Sequence, residues 1–329
     1  MLVDGFGRVA TDLRVSLTDR CNLRCSYCMP PEGLPWLPKP ELLTDDEVVR
    51  LVTLGVTRLG ITEVRFTGGE PLLRRGLPDI VARTAALEPR PQISLTTNGI
   101  GLDRLAPVLA EAGLDRVNVS LDTLDPETFR RLAHRDRLPD VLAGLRAAAE
   151  AGLRPVKVNA VLMRGLNEHE AVPLLRYCLE HGYELRFIEQ MPLDAQHAWR
   201  RSDMVTAEEV LDLLSEEFDL TPEESEARGS APAERFLVDG GPARVGVIGS
   251  VTRPFCGACD RVRLTADGQI RNCLFATEET DLRAAMRAGA TDEELAERWR
   301  AAVRGKKAGH GIDDPGFLRP ARPMSAIGG

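Results

Sequence analysis

Seven cysteines stand at positions 21, 25, 28, 178, 256, 259 and 273, and six of them fall into two triplets, one near each end of the chain. Cys21, Cys25 and Cys28 form C-x3-C-x2-C inside DRCNLRCSYCMP, and Cys256, Cys259 and Cys273 form C-x2-C-x13-C inside FCGACDRVRLTADGQIRNC. A four-iron cubane needs one terminal ligand per iron, so three thiolates leave one iron open to a small molecule. An open iron points to chemistry on a bound molecule rather than to simple electron transfer. Structural zinc prefers four protein ligands, and neither triplet has a neighbouring histidine to supply the fourth. Zinc and a trio of unreacting buried thiols are the alternatives that spacing leaves. Cys178 shares a helical apolar face with Leu174, Leu175 and Leu179 and is expected to be a core thiol. The histidines at 134, 169, 181, 197 and 310 keep no metal-ligand spacing and are expected at the surface or at caps.

These loops need elements to hold them. Short β-branched runs begin at Asp12, Glu63, Gln92, Arg116, Pro155 and Tyr183, and helical patterns lie between them, including 103–112, 140–151 and 168–180. Thr44 and Glu47 form a capping-box signature ahead of Val48, Val49, Leu51 and Val52. Strands alternating with helices mean parallel βαβ units, in an open sheet or a barrel. After Pro192 the rhythm changes. A helix is expected over 206–217 and a solvated linker over 221–234. Strands follow at ERFLVD and ARVGVIGSV, then a hairpin turning at Asp267-Gly268, then helical stretches at 280–288 and 292–303. The expected organisation is 1–192, 193–304 carrying the second triplet, and a Gly- and Pro-rich tail over 305–329, flexible unless something docks it.

Composition sets the class of partner. The 329 residues carry 42 Lys and Arg against 50 Asp and Glu, a formal charge of −8, with no basic tract and 5% aromatic residues. General nucleic-acid binding is therefore not expected. No apolar run reaches a membrane span, and the start, MLVDGFGR, lacks the apolar region of a signal peptide. A cytoplasmic protein is expected, and in a reducing compartment clustered thiols serve as metal ligands or catalysts.

The first triplet, with Tyr27 before its last cysteine, resembles the hallmark of the radical S-adenosylmethionine (SAM) enzymes, and Gly68-Gly69-Glu70-Pro71 after the second strand resembles a second feature of that family. The resemblance implies an incomplete (βα)6 TIM-like barrel with a smaller C-terminal α+β region. The site would lie at the carboxyl ends of the strands. It implies a 4Fe-4S cluster on Cys21, Cys25 and Cys28, with SAM chelated to its open iron and cleaved to a 5′-deoxyadenosyl radical. The C-terminal spacing, the Asp260-Arg261-Val262-Arg263 segment and the terminal Gly328-Gly329 resemble the branch of this family that cyclises GTP in molybdenum-cofactor biosynthesis. That branch implies a second 4Fe-4S cluster on Cys256, Cys259 and Cys273. The matched positions imply that Arg14, Arg65, Thr96, Lys157, Arg186, Arg261 and Arg263 contact GTP. Tyr27, Gly69, Ser120 and Met191 would line the SAM pocket, and Arg261, Arg263, Gly328 and Gly329 would serve catalysis. Implied partners are a flavodoxin- or ferredoxin-like electron donor and a downstream cyclic pyranopterin monophosphate synthase, the chain itself being a monomer or homodimer. Rival readings are a peptide-modifying radical SAM enzyme with an auxiliary cluster and a non-catalytic iron–sulfur or zinc sensor.

A GTP substrate makes a physical demand that the residues can be checked against. A triphosphate brings about four negative charges to an acidic chain, and no G-x4-G-K-[ST] loop is present to cradle it. In LRVSL, VRFTG, VKVNA and LRFIE a single cation is flanked by apolar residues. Four cations under helices would be costly. A lumen holding an anion is the arrangement expected, and arginine forks suit phosphate.

Overall fold

The computed structural model describes residues 1–224 and 228–328. Six strands, β1 (Asp12–Ser16), β2 (Glu63–Thr67), β3 (Gln92–Thr97), β4 (Arg116–Ser120), β5 (Val156–Ala160) and β6 (Glu184–Ile188), lie side by side in chain order and all parallel. Between them run α1 (Asp45–Leu59), α2 (Leu77–Ala85), α3 (Leu102–Glu111), α4 (Pro126–Ala133), α5 (Leu138–Glu150) and α6 (Ala171–His181). The Thr44 and Glu47 capping box forms at the start of α1 as the sequence predicts.

The C-terminal part supplies α7 (Ala207–Ser215), β7 (Leu220–Pro222), β8 (Glu234–Val238), β9 (Arg244–Ile248), β10 (Arg261–Leu264), β11 (Gln269–Arg271) and β12 (Thr280–Asp281). It ends in α8 (Leu282–Arg287), α9 (Asp292–Arg304) and α10 (Met324–Ile327). These strands extend the parallel sheet at both edges. β10 pairs parallel with β1 and β9 parallel with β6, giving the order β12-β11-β10-β1-β2-β3-β4-β5-β6-β9-β8-β7. The expected hairpin forms, with β10 and β11 antiparallel and Gly268 at a positive φ. The expected linker 221–234 needs correction at its start: Thr221 and Pro222 are paired with Leu237 and Phe236. Proline is tolerated there because the strand lies at a sheet edge. Residues 225–227 of that linker lie outside the described residues.

Period-two alternation sorts each strand into two faces. Leu13, Val64, Phe66, Ile93, Leu95, Val117, Val119, Val158, Leu185 and Phe187 are fully or almost fully buried in the main core beneath the helices. The intervening positions are polar and sit on the other face. In register there, Arg263 lies beside Arg14, Arg14 beside Arg65, Thr96 beside Asn118, Asn118 beside Lys157, and Asn159 beside Arg186. The tail is docked: at the start of α10 the Met324 amide donates a hydrogen bond to the Leu193 carbonyl at 2.9 Å, and Ile327 is buried against Leu193 and Phe275.

Candidate active site

The first triplet occupies the loop that leaves β1 at its carboxyl end. Two crossings hold this loop against the one that leaves β2. The Gly69 amide donates to the Thr18 carbonyl at 2.6 Å and the Glu70 amide to the Arg20 carbonyl at 2.7 Å. A Cβ on Gly69 would meet the Arg20 carbonyl oxygen at 2.3 Å, so this close approach requires glycine. On the other side, the Arg24 and Ser26 amides, which bracket Cys25, donate to the Ala133 and Leu132 carbonyls at the end of α4. Asn98 Nδ2 reaches Cys21 Sγ at 3.7 Å and Asn22 Oδ1 at 2.7 Å. Glu70 is fully buried and accepts from Thr97 Oγ1, the Asn98 amide and the Leu72 amide at 2.7 to 3.0 Å. Burial nonetheless pushes its carboxyl up to about 7.

All seven cysteines are free thiols. Burial pushes Cys28 up to about 12 and raises Cys25, and the thiols of this triplet raise one another further. Tyr27 donates to Asp122 Oδ2 at 2.8 Å, and burial lifts Asp122 to about 6. Among the described residues no three His, Cys, Asp or Glu side chains converge tightly enough for one metal ion. Three free thiols that feel one another across a buried loop are nonetheless a donor set that iron would deprotonate on binding.

The second triplet lies before β10 and after β11. Because β10 runs parallel to β1 with Arg261 beside Asp12, Cys256 and Cys259 sit near the amino end of β1, whereas the first triplet follows its carboxyl end. Burial raises Cys256. Cys259 is also buried, but the charges of Arg261 and Lys306 outweigh burial and bring it down to about 7. Lys306 donates to Cys259 Sγ at 3.3 Å, and Arg261 stacks 4.6 Å from the Phe255 ring centroid.

One cavity of about 270 Å³ runs between Tyr27 of the first loop and the cysteines of the second triplet. Of the residues singled out in the sequence, it is lined by Arg14, Tyr27, Arg65, Thr96, Ser120, Arg186 and Met191, together with Cys256, Cys259, Arg261, Arg263 and Cys273. Lys157 lies on the same sheet face but outside the cavity lining, 3.4 Å from Glu184. Gly69, Cys21, Cys25 and Cys28 also lie outside that lining. The Gly328 carbonyl accepts from Arg263, and Gly329 lies outside the described residues.

The electrostatics of the cavity are lopsided. Arg14 is lowered well below the arginine range by burial and by Arg65 and Arg263, and burial with Arg261 brings Arg263 to about 10. Two carboxylates stand beside this group: Asp12, 3.9 Å from Arg14 and 3.8 Å from Arg65, and Asp260, 4.0 Å from Arg261. Arg14 Nε, Arg65 Nε, and Nε and Nη2 of Arg261 are buried without a hydrogen-bond partner among the described residues. Crowded guanidinium groups with orphaned donors carry a cost that a polyanion relieves.

Sequence reasoning missed several participants. Asn118 and Asn159 have buried, unpartnered Oδ1 atoms and could have been found from strand alternation, since they share the polar face. His310 needs correction: it lines the cavity, half-buried, with Nε2 3.0 Å from the Ser250 carbonyl and its ring 5.2 Å from Phe275. The docked tail carries it inward, which no spacing revealed. Lys306 gave no local signal.

Residues 15–178 match the model of the Radical SAM superfamily, and residues 183–312 match Molybdenum Cofactor Synthesis C. The class is thus that of radical SAM proteins, which bind SAM and an iron–sulfur cluster. The chain is 72% identical over 329 residues to the GTP 3′,8-cyclase of Streptomyces coelicolor, covering 100% of this chain and 96% of the relative. It is 64% identical over 328 residues to that of Mycobacterium sp. strain KMS, covering 100% and 93%. The chain belongs to the GTP 3′,8-cyclase family. Among solved structures, Streptococcus suis SuiB bound to S-adenosylmethionine shares the fold, with a TM-score of 0.58 at 13% identity over 91% of this chain and 66% of SuiB. No helix among the described residues is long and apolar enough to cross a membrane.

Proposed function

We propose that this chain converts GTP into (8S)-3′,8-cyclo-7,8-dihydroguanosine 5′-triphosphate, the first step of molybdenum-cofactor biosynthesis. The observation that carries the reading in this chain is the group of orphaned guanidinium donors on Arg14, Arg65 and Arg261, facing the cavity that the second cysteine triplet lines. Family membership supports the same reading.

When bound, a 4Fe-4S cluster on Cys21, Cys25 and Cys28 with SAM supplies a radical able to take the C3′ hydrogen of GTP, and a second cluster on Cys256, Cys259 and Cys273 offers an open iron to guanine. The chain does the rest. Arg14, Arg65, Arg186 and Arg263 neutralise the triphosphate, with Lys157 and Thr96 beside them. Each charge-assisted hydrogen bond contributes about 1.5 to 3 kcal/mol. Arg261, held against Phe255, sits between the triphosphate group and the second triplet. Tyr27, Ser120 and Met191 line the SAM side, and Gly69, outside the cavity lining, holds the loop that presents the first triplet. Met191, Leu193, Phe275 and Met324 give the cavity an apolar wall. Fixing both ends of the nucleotide makes closure of C3′ onto C8 an oriented intramolecular step. Gly328, already bonded to Arg263, brings backbone groups to the reacting end without side-chain bulk. The reductant is a flavodoxin- or ferredoxin-like carrier, and the product passes to a cyclic pyranopterin monophosphate synthase.

Anaerobic reconstitution tests this. About eight irons per chain are expected for two cubanes, together with 5′-deoxyadenosine formation that depends on GTP and yields the cyclised nucleotide. About four irons plus zinc would overturn the second cluster, and 5′-deoxyadenosine without dependence on GTP would overturn the substrate.

A further inference from the structure

Lys306 follows the residue that caps α9 and is 5% exposed. An ammonium carries three N–H donors. Those of Lys306 go to the Arg261 carbonyl at 2.9 Å, the Cys259 carbonyl at 3.0 Å and Cys259 Sγ at 3.3 Å. All three acceptors belong to the short stretch that turns from the second triplet into β10.

A second cation also grips this loop, and the contrast between them is informative. Arg8 Nη1 donates to the Cys256 carbonyl at 2.6 Å and the Ala308 carbonyl at 2.8 Å, but its charge is already met by Asp4 at 2.5 Å. Among the described residues no carboxylate pairs with Lys306. A buried ammonium without an anion is costly. The group beside it able to carry negative charge is the Cys259 sulfur, and that charge is present when the sulfur ligates iron. Arg8 ties the loop as a neutralised pair; Lys306 brings an uncompensated positive charge onto a cluster ligand.

Resting on the two-cluster reading, we propose that Lys306 is a positioning residue of the second iron–sulfur site. It aims Cys259 Sγ by holding the carbonyls on either side of Asp260, and its charge favours the reduced, more negative state of the cluster. Cluster potentials respond to net charge and to hydrogen bonds on the ligating sulfurs, and groups that orient metal ligands govern retention of the metal.

The test uses the full-length chain carrying Cys21→Ala, Cys25→Ala and Cys28→Ala, so that only the second triplet can load. Lys306→Met, Lys306→Gln and Lys306→Arg are made in that background and loaded with iron and sulfide. Iron release to a chelator and the midpoint potential of the cluster signal are then measured. Lys306→Met is expected to release iron about 10 to 100 times faster and to move the potential negative. Lys306→Gln, which keeps donors but no charge, is expected to move the potential the same way, and Lys306→Arg to stay near the parent. Should Lys306→Met fail to fold, the comparison of Gln with Arg decides. Parent-like potentials and release rates in both Met and Gln variants would overturn the proposal. A parent that loads no iron at all would overturn the two-cluster reading on which it rests.

Discussion

Lys157 shows how a buried side chain can set a pH response. Its ammonium lies on the polar face of the sheet near Glu184, and burial, reinforced by Arg186, lowers it from the usual 10.5 to about 8. Between pH 8 and 10.5 the unfolded chain therefore binds this proton more tightly than the folded one. The Lys157 contribution makes the free protein more stable as pH rises through that window. Binding of a triphosphate has the opposite sign, because it needs the charge. GTP affinity measured by calorimetry is expected to fall as pH rises through about 8, and Lys157→Met to remove that inflection. An unchanged inflection in the variant would assign it to another group. Arg14→Ala, by contrast, removes a guanidinium fork from the middle of the cation group, beside Arg65 and Arg263. It is expected to weaken GTP binding by about 10-fold to 100-fold at neutral pH.

At the scale of elements, the crossing of the loops after β1 and β2 decides whether the first triplet is presented at all. Gly69 carries no positive φ, so the demand on it is spatial: the Arg20 and Asp19 carbonyl oxygens lie 2.3 and 2.6 Å from where a Cβ would stand. Backbone cannot swing aside as a side-chain end can. Gly69→Ala is expected to destabilise the fold by about 1 to 3 kcal/mol and to lower iron loading on the first triplet, both measurable by denaturant unfolding and iron assay. A variant with full iron and parental stability would show that the crossing gives way. Much of this level was legible beforehand. Alternation in LRVSL and LRFIE separated core from polar face because each strand is short and lies between apolar helices and a polar cavity. The pairing of β10 with β1 was not legible. It joins Arg263 to Arg14 across some 250 intervening residues, and nothing local in either strand encodes its neighbour. The same distance hid Lys306 and His310, whose positions follow from how α9 and the tail return to the sheet.

For the whole molecule, the consequence of that pairing is a separation of tasks. The first triplet follows the carboxyl end of β1, and Cys256 and Cys259 precede the amino end of β10, so five residues of strand, about 16 Å at 3.3 Å per residue, stand between the two loops. Among the described residues no hydrogen bond joins one triplet's loop to the other's. The first is held by α4 and the loop after β2, and the second by Arg8, Lys306 and the contact of Asp260 with Thr11. Each is expected to load without the other. Replacing Cys256, Cys259 and Cys273 by Ala should roughly halve the iron per chain and leave SAM cleavage by dithionite intact, while abolishing its dependence on GTP. Replacing Cys21, Cys25 and Cys28 should halve the iron equally, abolish SAM cleavage and leave GTP binding in place, since the cation group and the second loop are untouched. Iron assay, 5′-deoxyadenosine release and GTP calorimetry on the two variants read the three properties separately. If either set of substitutions emptied both sites, the strand between them would be transmitting order from one end of the cavity to the other, and the two loops would form a single cooperative unit.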